Sequence, residues 1–146
     1  MLLEARNAIH AALSAGSLPL SPTFEKRWKT TKQKSGGSAN SLPPVSPLVT
    51  VVPVTCWSFR ASEASHHYGA AIAIVVRAHA PTEERCDELS DFVEDVVQCV
   101  TGVVTDPPIA EVMVAAWVDL DRLNGESIWV SEIHAVIGLP KKGVAQ

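Results

Sequence analysis

The chain has 146 residues, 47% of them apolar and 19% charged, with a formal net charge of -4. That is enough for a single domain, residues 1–146, with a sizeable core, and too little for two comfortable ones. No stretch approaches the roughly 18 continuous apolar residues of a membrane span, and Glu4, Arg6 and Asn7 interrupt the opening residues where a signal peptide would need a clean apolar run. The expectation is a soluble protein made in the cytoplasm, with no membrane partner. Cys56, Cys86 and Cys99 are odd in number and lack CxxC spacing, so free, buried thiols in a reducing compartment are expected. The charge is unevenly placed: residues 1–60 carry seven Lys/Arg against two Asp/Glu, and residues 61–146 carry five against fourteen. Opposite halves suit head-to-tail contact between copies as well as a basic binding patch.

Residues 2–14 read as a helix, because Leu2, Ala5, Ile9, Ala12 and Leu13 recur at helical spacing, with Gly16 and Pro19 ending it. His10 beside that stripe reads as a partly buried surface histidine. Residues 16–47 show no periodicity and read as a long basic loop. Loops of that length are uncommon in compact domains and are usually functional or disordered. Its charge is concentrated in Lys26, Arg27, Lys29, Lys32 and Lys34, with Trp28 as its large aromatic group.

Residues 48–57, LVTVVPVTCW, read as a strand, and Pro53 argues against a central position because it lacks a ladder donor. A polar stretch, RASEAS, follows. In residues 66–80, HHYGAAIAIVVRAHA, Tyr68, Ile72, Ile74 and Val76 share one strand face and Ala71, Ala73 and Val75 the other. Both faces are apolar. The small-residue face, ending at Arg77, therefore reads as a surface covered by a second layer such as another subunit. Arg77 and His79 are expected to return it to water.

Residues 81–100 read as the strongest helix, with Cys86, Leu89, Phe92, Val93, Val96, Val97 and Val100 as its stripe. Glu83, Glu84, Asp87, Glu88 and Asp91 crowd its first half, where they favour the positive end of the helix dipole. They read as a solvated face, or alternatively as a partner for a neighbour's basic loop. Residues 110–123 read as a strand, Asn124-Gly125 as a hairpin turn, residues 127–139 as the return strand, and residues 140–146 as a flexible tail. The predicted order is α-β-β-α-β-β. The predicted fold is α+β, an antiparallel sheet of about four strands with two helices packed on one face.

No constellation in the chain carries chemistry. Adjacent His66 and His67 on a strand point to opposite faces and share an ion poorly with His79 or Cys56. A nucleophile pair of Cys56 with either histidine lacks any activating feature, and a packed thiol is the simpler reading. Asp119 and Asp121 precede a predicted turn, with nothing to separate their pKa values. The SGGS run lacks the strand, lysine and helix of a phosphate-binding loop. No cofactor, metal or catalytic residue is expected.

The sequence of elements nevertheless has a recognisable texture. A short N-terminal helix and a long loop precede a strand of the VTVVPV type and a polar stretch containing Arg60. YGAAIAIVVRAHA, TEERCDELSDFVEDVVQCV and the closing SIWVSEIHAVIGL follow. Best over residues 48–139, this order resembles the tail terminator proteins of long-tailed bacteriophages, which complete the tail and join it to the head. The resemblance is one of order and texture, with no invariant motif behind it. It implies an α+β sandwich and a virion structural role, with no catalytic residues to carry over. Family members form a ring, typically a hexamer, that caps the head-proximal end of the tail tube and ends its polymerisation. The implied partners are the protein itself, the tail tube protein, the head-tail connector or stopper protein, and DNA passing without sequence specificity. The implied location is the neck of the virion, assembled in the host cytoplasm. The Lys-rich segment is longer and more basic than the fold requires. It is expected to grip the adjacent subunit's acidic helix or to point into the lumen. The alternatives are another neck component (a head-completion or stopper protein), a nucleic-acid-binding module, and a small enzyme.

Overall fold

The computed structural model describes residues 2–28, 45–62, 65–102 and 111–139. Helix α1 (Leu2–Ala15) is followed by strands β1 (Thr23–Lys26), β2 (Leu48–Ser62) and β3 (Ser65–His79). Helix α2 (Glu83–Thr101), strand β4 (Glu111–Val118), helix α3 (Leu120–Glu126) and strand β5 (Ile128–Leu139) complete the chain. The strands form one sheet in the order β1-β2-β3-β5-β4. The fold is α+β, as the sequence suggests, but among the described residues the sheet has five strands rather than four, and three helices rather than two are present.

The extra strand corrects the reading of residues 16–47 as a loop. After α1, the chain turns back through Ser17, Leu20 and Ser21, all at positive φ. It then lays Thr23–Lys26 parallel to β2, in register from Thr23 with Leu48 to Lys26 with Val51. Four residues are too few to display a periodicity, so the pairing is dictated by the exposed edge of β2. The sheet is therefore mixed, with β1–β2 parallel and the other three pairs antiparallel.

The third helix replaces the expected hairpin turn. Strand β4 stops at Val118, and the Asp119 side chain accepts a hydrogen bond from the Arg122 amide (3.2 Å), capping α3. Asn124 and Gly125 lie inside this helix, and Ser127 makes the turn into β5 with a left-handed φ of 56°. An Asx cap outcompetes the local preference of Asn-Gly because the cap satisfies an orphan amide at the helix start.

The core lies between the sheet and one layer of helices. Ile9 and Leu13 of α1, and Leu89, Phe92, Val96 and Val100 of α2, are fully buried against Val49, Val51, Ile72, Ile74, Val76 and Ile133. Both long helices thus lie on the sheet face that carries the large residues of β3, α1 over β2 and β3 and α2 over β5 and β4. Helix α2 begins at Thr82, whose hydroxyl accepts from the Arg85 amide (3.1 Å). The two helices approach closely at Gly16, where a Cβ would sit 2.6 Å from Cys99 Sγ, so only glycine fits without a shift.

Pro53 falls where the sequence argument requires. The Arg27 amide donates to the Val51 carbonyl (2.9 Å), the last contact of the β1 segment with β2. Two residues on, Pro53 occupies the same side of β2, where no described strand lies alongside, next to a bulge between Pro53 and Thr55. Its missing N–H removes no ladder bond there. Beyond it, β2 and β3 continue as a hairpin in which most of the polar RASEAS stretch is strand.

Candidate assembly surface

The sheet face opposite α1 and α2 carries the small-residue set of β3. Cross-strand register aligns Glu25, Thr50, Val75, Glu132 and Trp117 in one row across all five strands. At the β1 end of this row the Thr50 hydroxyl donates to Glu25 Oε1 (2.7 Å), and Glu25 Oε2 pairs with Arg27 Nε at 3.0 Å. At the β4 end Trp117 packs against His134 with ring centroids 4.6 Å apart. A shallow depression of about 200 Å³ is lined there by Trp117, Asp119, Val130 and Glu132.

The middle of this face differs from expectation. Ala73 and Val75 retain only 9% exposure, and Val52 8%, in the lone chain. These residues are small and are flanked by longer neighbours, so a partner would add little to their burial. Ala71 is half-buried. The apolar groups left accessible lie toward the two sides, at Val54 on β2 and Trp117 on β4.

Arg77 also departs from the expected return to water. It is half-buried, and its Nε and Nη2 atoms are shut off from solvent without a hydrogen-bond partner among the described residues. Burial lowers its pKa from the ordinary arginine value, and the nearby charge of Arg122 lowers it further. His79, two residues on, is exposed as expected.

The basic segment is rooted rather than loose at its start. Lys26 ends β1 exposed, and Arg27 is paired with Glu25. The Arg6 guanidinium, on a largely buried residue of α1, lies 5.1 Å from the ring centroid of Trp28. That cation–π contact leaves Trp28 59% exposed. Lys29, Lys32 and Lys34, and the tail 140–146, lie outside the described residues.

The acidic set Glu83, Glu84, Asp87, Glu88 and Asp91 is exposed along α2. Arg85 among them pairs with Glu88 at 2.9 Å and donates to the Val45 carbonyl, tying the start of α2 to the approach to β2. No contact joins this set to the basic segment among the described residues. Asp119 serves as a helix cap. No cluster of three His, Cys, Asp or Glu suited to a metal occurs among the described residues, and no described helix is long and apolar enough to cross a membrane.

The cysteines correct one expectation. Cys56 is exposed, because β2 outruns both its partner β1 and the helix layer, whereas Cys86 and Cys99 are half-buried. Burial pushes both of those thiols up, reinforced by Glu83 and Asp87 at Cys86 and by Asp95 at Cys99. Since the thiolate is the reactive form, maleimide at pH 7 is expected to label one thiol per native chain quickly. Peptide mapping should place it at Cys56, and equal labelling of all three would contradict this burial pattern.

The topology sets strands from the two halves of the chain at opposite sides of the sheet. Strands β1 and β2, from the basic half, form one side of the sheet, with α1 packed over them. Strand β4, from the acidic half, forms the other side, and α2 packs over β4 and β5. Sequence reasoning found the charge split but not this placement, which depends on strand order. No protein-family model matches the chain, and no curated protein matches it.

Proposed function

We propose that this chain is a virion structural protein that forms a ring closing the head-proximal end of a phage tail tube and joins the tail to the head connector. The observation that carries the reading is the placement of the two halves of the chain across the sheet: β1 and β2, from the half with the excess of Lys and Arg, at one side, and β4, from the acidic half, at the other. Two different, complementary sides favour heterologous contact, which closes into a ring when the rotation permits. The α+β order of elements supports the same reading through the tail-terminator resemblance.

The test is the solution mass of the purified protein over a concentration series, with negative-stain images of the same fractions, alone and with tail tube protein. Rings of about six copies that bind tube protein are the expected result. Binding to the connector but not to the tube would mark a different neck component. A monomer under all of these conditions would overturn the proposal.

A second reading is favoured by one observation, the exposed Trp28 beside Lys26 and Arg27. An accessible aromatic group next to positive charge is the minimal element of a single-strand binder. That reading requires tight DNA binding at physiological salt, weakening steeply as salt rises.

A further inference from the structure

We infer that copies of this chain join by strand pairing, the free edge of β4 adding to the free outer edge of β2 in the next copy. This rests on the ring reading above and names its contact.

Among the described residues, β4 is the outermost strand at its side of the sheet. Its sequence, EVMVAAWV, has one charge, at its first residue, and no Pro, Lys or Gly. Edge strands in monomeric proteins are normally blunted by such residues, because a bare edge is a template for another strand. The backbone direction can be assigned. The Asp119 amide donates to the Val130 carbonyl at 2.9 Å, so residue 119 faces β5. Antiparallel ladders alternate, so residues 117 and 115 also face β5, while the backbone groups of residues 118, 116 and 114 point outward.

The opposite side of the sheet has two parts. Strand β1 is short and carries Glu25 and Lys26, with Arg27 directly after it, and so is blunted. Beyond Pro53, β2 runs on from Val54 to Ser62 with β3 on one side and no described strand on the other. That stretch of nine residues is long enough to take all eight of β4.

Strand sense supports the pairing. Strand β2 is antiparallel to β3, β3 to β5, and β5 to β4, so β4 runs opposite to β2. In the lone sheet Ala116 is level with Val51 and Cys56 with Val112, so a copy related by rotation about an axis inclined to the strands, as in a closed barrel, presents its β2 antiparallel to β4 and shifted along it by four residues, with its helices on the same side of the joined sheet. Charge favours this pairing over β4 with β4, which would bring together two acidic regions containing Glu111, Asp119, Asp121 and the carboxylates of α2.

The test uses the full chain and its exposed Cys56, which lies on the bare part of β2. Cys56 pairs with Ala70, whose side chain is on the helix face, and Ala116 pairs with Ile133 on that same face. With a short bis-maleimide, each thiol adds across one maleimide double bond. Ala116→Cys is expected to give a ladder of linked copies that disappears when Cys56→Ser is added. Trp117→Cys, on the other face, is expected to link several-fold less. Ala116→Pro removes an outward amide without breaking the β5 ladder and is expected to weaken association at least tenfold, with an unchanged circular dichroism spectrum. Should that variant fail to fold, Ala116→Lys places a blunting charge at the same position and is expected to act alike.

Wild-type association in folded Ala116→Pro and Ala116→Lys proteins would overturn the inference while the ring reading stands. Links that persist in the Cys56→Ser background would overturn it in favour of β4–β4 pairing. A monomer without links, even with tube protein present, would overturn both.

Discussion

Replacing Lys26, Arg27, Lys29, Lys32 and Lys34 together by serine is expected to weaken self-association on the order of 100-fold, from a modest gain per exposed ion pair compounded over five charges. The dependence on salt should fall in parallel, because these charges are the screened part of the contact. Folding should be preserved: Lys26 is exposed at the end of a four-residue edge strand, and Arg27 contributes one exposed ion pair with Glu25. Analytical ultracentrifugation at two salt concentrations, with a melting curve, separates the two effects. An association constant equal to wild type at both salts would show that the basic segment takes no part in assembly. Loss of DNA binding with intact rings would instead assign the segment to the lumen.

The second large effect is on stability. Phe92 is the largest fully buried side chain among the described residues, set in α2 within the core shared by both long helices and the sheet. Phe92→Ala is expected to cost about 3–5 kcal/mol, from lost transfer energy and the cavity left behind. That is a large fraction of the roughly 5–15 kcal/mol that holds a domain folded. For a chain of this size it corresponds to a melting temperature lower by roughly 10–15 °C. Phe92→Leu keeps most of the volume and should cost well under half as much. Equal effects of the two substitutions would mean that the site is not packed as described.

Much of the fold was legible because its signals are local. Helix α1 shows its stripe in Ala5, Ile9 and Leu13, and α2 in Leu89, Phe92, Val93, Val96 and Val100, all of which are buried. A helix repeats its buried face every three to four residues, so a dozen residues suffice to reveal it. Strands β2, β3 and β5 were legible through alternation, and β3 through apolar character on both faces.

The candidate surface was legible only as a list. Ala71, Ala73, Val75 and Arg77 share a face, as their spacing requires, but Ala73 and Val75 are already mostly covered in the lone chain. Covering depends on the lengths of neighbouring side chains on other strands, which no single strand records. Cys56 was misread for the same reason: its local sequence is that of a packed strand, and its exposure follows from where β1 and the helices stop.

By itself, then, the sequence determined the α+β class, the two long helices, the core stripe and the separation of charge along the chain. Each of these is a property of neighbouring residues or of simple counts. Tertiary structure alone decided that Thr23–Lys26 becomes a strand, that Asn124-Gly125 lies in a helix, and that β5 sits between β3 and β4. It also decided that strands from the basic and the acidic halves of the chain lie at opposite sides of the sheet. Strand pairing joins residues far apart in sequence, and its outcome is set by which edges remain open once the other strands are in place.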